Sequence, residues 1–420
     1  MNCLNYIDLF AGAGGLSEGF KKNGFNPIAH VEMDYAACQT LRTRAAFHYL
    51  KEIGNTQVYE SYLKGEIRRG ALYDSVPHEI HDSVINMAIS EENNSKIFDS
   101  IDAQLLRNDI KKVDLIIGGP PCQAYSLVGR ARSEHNMKRD PRNFLYVQYA
   151  NFLERYGPRM FVFENVLGLL SAGGGIYLQN MERLFKKKGY TIKIFKVKAE
   201  NFGVLQKRRR LIILGWRDDC NTPNIPNLDH YDGGLKSIVA NVLSDLPKLE
   251  AGTGTDKYTE YACASNDYLF KSGIRNGSTV LTQHVARPHT NQDKAIYKIA
   301  VEKWKHSQRL NYNDLPDELK THRNTSSFFD RFKVVADNIE ASQTIVAHIA
   351  KDGHYYIHPD LHQNRSLSVR EAARLQSFPD DFYFEGAKEG ANRTAAFKQI
   401  GNAVPPLMAN FIAKELKLIL

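Results

Sequence analysis

Long apolar runs and paired cysteines are both missing from this sequence of 420 residues. No stretch reaches the roughly eighteen apolar residues that a membrane-spanning helix needs. The five cysteines are scattered, without a Cys-x-x-Cys pair, which argues against a disulfide framework or a zinc site and indicates a reducing compartment. The N-terminal segment has no basic region and carries Asp8 early, so no signal peptide is expected. A GxxxxGK(S/T) loop is also absent, which counts against an NTPase.

Positive charge is concentrated in one segment of the chain. Residues Arg183 to Arg217 include twelve Lys and Arg but only one acidic residue, Glu200. Outside this segment the acidic residues slightly outnumber the basic ones. Such a stripe is typical of a surface that binds a nucleic-acid backbone, although a solvated helix and strand surface would have the same composition. The charge pattern by itself leaves both interpretations open.

Short apolar runs alternate with helix-like stretches along much of the chain. The runs read NYIDLFAG, PIAHVEMD, VDLIIGG, RMFVFENV and RLIILGW. This alternation predicts strands joined by crossover helices, so we expect a doubly wound α/β fold with a mostly parallel sheet. In such a sheet the ligand site lies at the carboxyl ends of the strands.

The sequence suggests two domains. Residues 1–217 are predicted to form a catalytic, cofactor-binding domain, interrupted by a polar, partly helical insertion at about 47–112. Residues 218–364 are rich in loop-forming residues and are predicted to form a smaller domain, with QTIVAHI and HYYIHP as candidate strands. Residues 365–420 are predicted to return to the first domain. Their last apolar residues share one helical face that could pack beside the first strand: Leu407, Phe411, Ile412, Leu416 and Ile419.

A glycine-rich turn follows the first predicted strand. In DLFAGAGG, Phe10 and the glycines after it allow the backbone to turn tightly and to approach a ligand at a helix N-terminus. Glu32 ends the next strand, where a carboxylate can accept hydrogen bonds from both hydroxyls of a ribose. Together they predict an adenosine-bearing cofactor and leave NAD, FAD and S-adenosylmethionine open. For the turn alone, an ordinary tight turn is the alternative.

Cys122 stands behind two glycines and two prolines in GGPPCQAYS. Gly118 and Gly119 remove side chains from the surface before it, and the prolines restrict the backbone. A lone cysteine is usually a small buried hydrophobic residue, but this rigid placement at a strand end predicts a nucleophile. Its thiol would need positive charge nearby, which Arg208 and Arg210 could provide.

Glu164 and Asn165 end the apolar run FVFEN. A carboxylate at this strand end could exchange a proton or a hydrogen bond with a bound base. The alternative is structural, because Asn165 could simply cap the following helix.

The segment QKRRR combines a buried pattern with charge. Gln206, Arg208 and Arg210 share one face of an extended segment, and Lys207 and Arg209 share the other. One face could enter a catalytic pocket while the other meets solvent or phosphate, because the arginine fork suits carboxylate and phosphate alike.

These four segments, together with SVREAARLQSFPDDF at 368–382 and QIGNAVPP at 399–406, resemble the DNA (cytosine-5) methyltransferase family. The six blocks cover about half of the chain in the order of the family. The resemblance implies the S-adenosylmethionine-dependent methyltransferase fold, with residues 218–364 as a target-recognition domain that reads base edges in the major groove. The SVREAARLQ helix is expected to support that domain rather than to contact bases.

The resemblance also implies roles for single residues. Cys122 adds to C6 of a cytosine turned out of the duplex, Glu164 contacts the base, and Arg208 and Arg210 steady the base and the carboxylate. The residues after Cys122 are expected to close over DNA as a mobile loop. No metal is expected. The cofactor residues are Phe10, Ala11, Gly12, Gly14, Gly15, Leu16, Glu32, Met33, Pro120, Leu145, Asn402, Ala403 and Val404, with Asp99 or Asp102 as the acid beside the adenine.

The expected partner is double-stranded DNA, bound by a monomer. The resemblance implies a cytoplasmic, DNA-associated bacterial enzyme that works with a cognate restriction endonuclease, although a solitary methyltransferase would look the same. Three alternatives stay open: a cytosine-5 methyltransferase acting on tRNA, a DNA-binding protein without catalysis, and a nicotinamide- or flavin-dependent oxidoreductase.

Overall fold

The structure is a computed structural model that describes residues 4–121, 144–221, 224–277, 279–321, 329–390 and 392–420. Its main sheet has the strand order β3-β2-β1-β4-β5-β7-β6. The first five strands pair in parallel, and β7 runs antiparallel to both β5 and β6. This confirms the mostly parallel α/β sheet. The strands are β1 (Leu4–Leu9), β2 (Phe25–Glu32), β3 (Val84–Asn86), β4 (Leu115–Gly118), β5 (Met160–Asn165), β6 (Tyr190–Lys198) and β7 (Arg209–Arg217).

Helices cover both faces of this sheet. The helices before β7 are α1 (Gly15–Lys22), α2 (Tyr35–Glu52), α3 (Thr56–Lys64), α4 (Arg69–Asp74), α5 (His78–Asp82), α6 (Asn94–Arg107), α7 (Leu145–Tyr156) and α8 (Ile176–Lys187). The strands are apolar runs because both of their faces are buried. In β5, for example, Phe161 and Phe163 pack in the same apolar cluster as residues of α6, α7 and α8, whereas Met160 and Val162 pack with residues of α1. No helix within the described residues is long and apolar enough to span a membrane.

The last helix, α14 (Pro406–Lys417), packs against α1, as its apolar pattern predicts. Leu407, Ile412 and Leu416 are buried in the same cluster as the first strand. The two helices lie very close, because a Cβ added at Gly19 would stand 2.3 Å from the backbone nitrogen of Asn410. The two ends of the chain therefore close the same layer of the first domain.

The structure corrects the predicted insertion at about 47–112. This range contains β3 and α6, which belong to the doubly wound core: β3 pairs with β2 in parallel, and α6 buries Ile97 and Ile101 against the sheet. Only the short helices α3, α4 and α5 are additional. The error arose because β3 has three residues, too few to show a strand period in the sequence.

The second part of the chain is mostly loops and short helices. Its elements are α9 (Ala240–Leu243), β8 (Gly254–Thr255), α10 (Asp267–Ser272), β9 (His284–Val285), α11 (Asn291–Lys305), α12 (Val369–Leu375) and α13 (Arg393–Asn402). Neither QTIVAHI nor HYYIHP is a strand: Ala347–Ala350 is a 3-10 helix, and Ile357 makes only isolated bridges. One apolar cluster joins Val242 of α9 with Ala373 of α12 and Ile400 of α13. The helices α12 and α13 therefore belong to the core of the second part. The segment that contains them also contacts the first part, since Glu385 accepts a hydrogen bond from Thr43 and Gln399 accepts one from Thr40.

Candidate active site

The carboxyl ends of the parallel strands bring the predicted site segments to one edge of the sheet. Leu9 at the end of β1 pairs with Val31 near the end of β2 and with Gly118 at the end of β4. Gly118 in turn pairs with Phe163, one residue before Glu164. The glycine-rich turn, Glu32, Gly119 and Glu164 consequently lie along the same edge. Cys122, which directly follows Pro121, lies outside the described residues, as does the predicted mobile loop.

The glycine-rich turn is fastened by Glu32. Its carboxylate accepts hydrogen bonds from the backbone nitrogens of Gly12 (2.8 Å) and Asp34 (2.7 Å), and burial raises the pKa of Glu32. Phe10 and Gly12 adopt left-handed backbone angles, with φ of 57° and 55°. A Cβ added at Gly12 would meet no atom within 4 Å, so the turn is open on that side. This backbone is preorganised and accessible to a ligand.

Asp8 is a candidate site residue that the sequence patterns did not indicate. It is 1% exposed, and neither of its carboxylate oxygens has a hydrogen-bond partner within the described part of the chain. Burial first, and then the charge of Glu32, raise the pKa of Asp8 well above its ordinary value. A cationic group on a ligand at the turn would satisfy this carboxylate. The sequence did contain a sign of this residue: Asp8 is a carboxylate within an apolar strand, two residues before the turn.

The structure does not bring Asp99 or Asp102 to the cofactor edge. Asp99 is exposed on α6, whose buried side faces the sheet, and Asp102 pairs with Arg155 at 2.5 Å. The polar side chain at the end of β3 is instead Asn86, which donates to the backbone carbonyls of Glu32 and Met33, each at 3.1 Å. The assignment of Asp99 or Asp102 to the adenine stays a prediction, and Asn86 is a further candidate.

The other predicted cofactor residues differ in their surroundings. Met33 is 67% exposed at the end of β2, which leaves a large apolar side chain available to a ligand. Gly15 packs against the C-terminal block, since an added Cβ would lie 2.2 Å from the carbonyl oxygen of Val404 and 3.3 Å from Cβ of Ala403. Leu16, by contrast, is buried in the core beneath α1. The backbone nitrogen of Ala11 donates a hydrogen bond to the carbonyl of Val31. Leu145 is the first residue of α7, and Asn402 is the last residue of α13 and is exposed.

Glu164 forms the best-defined polar contact of the site. Its Oε1 lies 2.6 Å from Nε of Arg210, and both side chains are 13% exposed. Gly119 is required beside it, because a Cβ there would stand 2.7 Å from the other carboxylate oxygen. Asn165 does not cap a helix; its side chain donates to the carbonyl of Pro120 at 3.3 Å. The carboxylate and the Pro-Pro segment before Cys122 are thus held together.

Arg208 has a different environment from the one predicted. The alternation in QKRRR is correct, with Gln206 and Arg208 buried and Lys207 and Arg209 exposed. The guanidinium of Arg208 donates to backbone carbonyls of distant segments rather than to Glu164: Ile345 (2.7 Å), Gly401 (3.2 Å) and Ala403 (2.8 Å). Arg210 alone of the two arginines pairs with the active-site carboxylate.

The basic segment is divided between the two ends of the sheet. Because β6 and β7 are antiparallel, Lys198 pairs with Arg209 at the catalytic edge, whereas Tyr190 pairs with Arg217 at the opposite end. The nine-residue strands separate these ends by about 26 Å, at about 3.3 Å per residue. Only the part of the stripe around Lys198, Lys207 and Arg209 is near the site, so the segment is not one continuous footprint for DNA. Within the described ranges, no cluster of His, Cys, Asp and Glu side chains could hold a metal ion.

Comparisons with known proteins identify the family of this chain. The model of the C-5 cytosine-specific DNA methylase family matches residues 4–67 and 78–418, and the gap contains α4. The chain is 41% identical to type II methyltransferase M.Bpa9945I of Bacillus paralicheniformis over 98% of both chains. It is 30% identical to type II methyltransferase M.DdeI of Desulfomicrobium norvegicum, over 98% of this chain and 88% of the relative.

Among solved structures, a DNA modification methyltransferase encoded within an Escherichia coli prophage has the same fold, with a TM-score of 0.62, 22% identity and 99% of both chains covered. The resemblance seen in the sequence motifs is confirmed. The chain belongs to the C-5 cytosine-specific DNA methylase family and is a DNA (cytosine-5) methyltransferase.

Proposed function

We propose that this enzyme methylates one cytosine within a specific double-stranded DNA sequence, with S-adenosylmethionine as the methyl donor. The observation that carries the proposal is the ion pair of Glu164 and Arg210 beside Gly119, on the same edge as the glycine-rich turn. A base and a cofactor bound side by side at one edge of the sheet would allow direct transfer of the methyl group from the cofactor to the base. The nucleophile Cys122 follows this edge by two prolines.

The residues at the turn fit S-adenosylmethionine. Its methionine amino group and sulfonium are positively charged, and Asp8 offers a buried carboxylate without a partner in the described residues. The carboxylate of Glu32 lies where the ribose of such a cofactor would be bound, and Met33 exposes an apolar side chain for the adenine. When bound, this cofactor supplies an electrophilic methyl group. NAD and FAD have no comparable cation next to the adenosine, which favours S-adenosylmethionine over them.

The chain's own residues provide the remaining chemistry. We propose that the Cys122 thiolate forms a bond to C6 of a cytosine turned out of the duplex, while Glu164 shares a proton with N3 and so accepts the charge that moves into the ring. The bound cofactor would supply the methyl group to C5 and would leave as S-adenosylhomocysteine. Loss of the C5 proton to a base would then return electrons to the ring, and the C6–S bond would break to release the Cys122 thiolate. Arg210 keeps the carboxylate oriented throughout.

The substrate is proposed to be DNA, and its sequence to be read by the loops of residues 218–364. The relatives at 41% and 30% identity are named type II methyltransferases, which supports a role beside a cognate restriction endonuclease. The exposed side chains of Lys198, Lys207 and Arg209 at the catalytic edge are suited to phosphates. Transfer to tRNA but not to duplex DNA would reverse this choice.

A covalent trap tests the mechanism. A duplex library containing 5-fluorocytosine, incubated with the protein and S-adenosylmethionine, should form a stable adduct at Cys122, because fluorine cannot leave as the C5 proton does. Cys122→Ser should form no adduct and yet bind S-adenosylhomocysteine, and Glu164→Gln should form it orders of magnitude more slowly. Absence of an adduct with the wild-type chain would contradict the mechanism. Sequencing of methylated plasmid DNA would identify the target.

A further inference from the structure

The linker, defined here as Gly401 to Pro406, includes the last two residues of α13 and the first residue of α14, and it presents one exposed residue. Asn402 is exposed, whereas the residues on both sides of it are buried. The linker begins where α13 ends, so the last carbonyls of that helix need donors from elsewhere. Pro405 and Pro406 carry no backbone N–H and cannot supply them.

Two buried side chains supply these donors. Arg208 donates to the carbonyls of Gly401 and Ala403, and Gln376 donates to those of Ile400 (2.7 Å) and Ala403 (3.3 Å). Both side chains have no exposed surface. The positive charge of Arg208 also complements the negative end of the α13 dipole. The two residues on either side of Asn402 are therefore held through their carbonyl oxygens.

The same arginine reaches the segment that packs over the linker. Its second guanidinium nitrogen donates to the carbonyl of Ile345, while Gln206 accepts the N–H of Ile345 at 2.8 Å. The segment approaches the linker closely, since a Cβ at Gly401 would lie 2.2 Å from the backbone nitrogen of Ala347. Arg208 thus joins β7, the linker and the second part of the chain at one point.

We propose that Arg208 is a positioning residue for the cofactor: it holds the linker so that Asn402 points to the cofactor pocket. Two residues further along the same face, Arg210 holds Glu164 for the base. The two arginines of QxRxR would then serve the two halves of the site separately. This inference depends on the proposed function, because it assumes that Asn402 contacts S-adenosylmethionine.

The test is a comparison of arginine-to-lysine variants at Arg208, directly before β7, and at two positions within β7. Lysine keeps the charge but loses the planar fork that reaches three carbonyls. In calorimetric titration with S-adenosylhomocysteine and no DNA, Arg208→Lys should raise the Kd roughly tenfold, the loss expected for one hydrogen bond to a charged donor. Arg210→Lys should leave this Kd unchanged and lower kcat for methyl transfer. Arg217→Lys, at the far end of β7, is the matched control and should change neither.

A second variant decides the matter if Arg208→Lys does not fold. Gln376→Met keeps the length and the charge of the side chain but removes the amide group that donates to Ile400 and Ala403 and that accepts from Gln206. It should also weaken S-adenosylhomocysteine binding while kcat at saturating cofactor stays near that of the wild type. A loss of folded protein alone would lower kcat and leave the Kd of the folded fraction unchanged. If Arg208→Lys folds and binds S-adenosylhomocysteine as tightly as the wild type, the inference is overturned and the proposed function remains intact. If Arg208→Lys does not fold, wild-type affinity in Gln376→Met has the same meaning. A wild-type chain that bound no S-adenosylhomocysteine would overturn both.

Discussion

Replacing Gly119 with alanine should impair catalysis without weakening cofactor binding. The added Cβ would stand 2.7 Å from Oε2 of Glu164, 3.3 Å from its carbonyl oxygen and 3.5 Å from its Cβ. Ordinary contacts of a Cβ begin at 3.4 Å, so the carboxylate must move by about 0.7 Å. The backbone cannot yield instead, because β5 is fixed between β4 and β7.

This displacement has a cost that can be estimated. A shift of Glu164 disturbs its contact with Arg210, whose Nε lies 2.6 Å from the other carboxylate oxygen. A misplacement of about 1 Å at a reacting group costs on the order of a hundredfold in rate, so we expect kcat to fall by about 10- to 100-fold. The Kd for S-adenosylhomocysteine should remain that of the wild type, because Gly119 is at the base side of the edge.

Single-turnover transfer of a labelled methyl group to cognate DNA measures the rate, and titration without DNA measures the Kd. Gly70→Ala is the matched control: it lies in α4 with no atom within 4 Å of an added Cβ, so it should leave the rate unchanged. A wild-type rate for Gly119→Ala would show that the position of this carboxylate does not limit catalysis. The assignment of Glu164 to the base would then be refuted.

Three other substitutions test separate parts of the structure. Asp8→Asn should weaken S-adenosylhomocysteine binding about tenfold. Because burial raises the folded-state pKa of Asp8, the wild type without ligand should lose stability relative to this variant as pH rises above the ordinary range of an aspartate, which thermal melts at several pH values would show. Glu371→Gln breaks a fully buried, two-armed pair with Arg365 and should cost about 3–5 kcal/mol in urea unfolding at pH 7. The pKa of Glu371 is lowered in the fold, so this advantage of the wild type should disappear in acid, below the ordinary glutamate range; a pH-independent difference would contradict the argument. Tyr62→Phe removes a hydrogen bond of 2.6 Å to buried Glu385 and should lower stability by about 1–3 kcal/mol, and an unchanged Tm would show that α3 does not brace the two parts of the chain.

The sequence was most informative where short-range pattern decides the structure. The alternation of buried and exposed side chains along QKRRR follows from strand geometry, so the burial of Arg208 and the exposure of Lys207 could be predicted. Which atoms a buried arginine contacts depends on distant segments, here Ile345 and Gly401, and local pattern contains no such information. The pairing of Arg210 with Glu164 was predicted because the family motifs place both at the site.

Two errors have the same physical origin. The strand β3 is recognisable only by its pairing with β2, and its three residues show no period. Conversely, QTIVAHI looks like a strand, but the polar backbone atoms of Ile345 bond to the side chains of Gln206 and Arg208 instead of a neighbouring strand. Asp99 was chosen as a cofactor ligand because β3 was not recognised, although Asn86 ends that strand beside Glu32.

The direction of β7 explains why this strand contributes its first residues to the site, whereas the parallel strands contribute their last residues. The parallel strands bring to the catalytic edge the residues that follow them, such as the turn after β1 and Glu164 at the end of β5. Since β7 runs the other way, it brings its first residues there, and its last residue, Arg217, lies at the opposite end of the sheet. A parallel strand in this position would carry Arg208 and Arg210 away from Glu164. The antiparallel strand is therefore what allows a cationic segment to meet a carboxylate and the helix end at Gly401 on one edge.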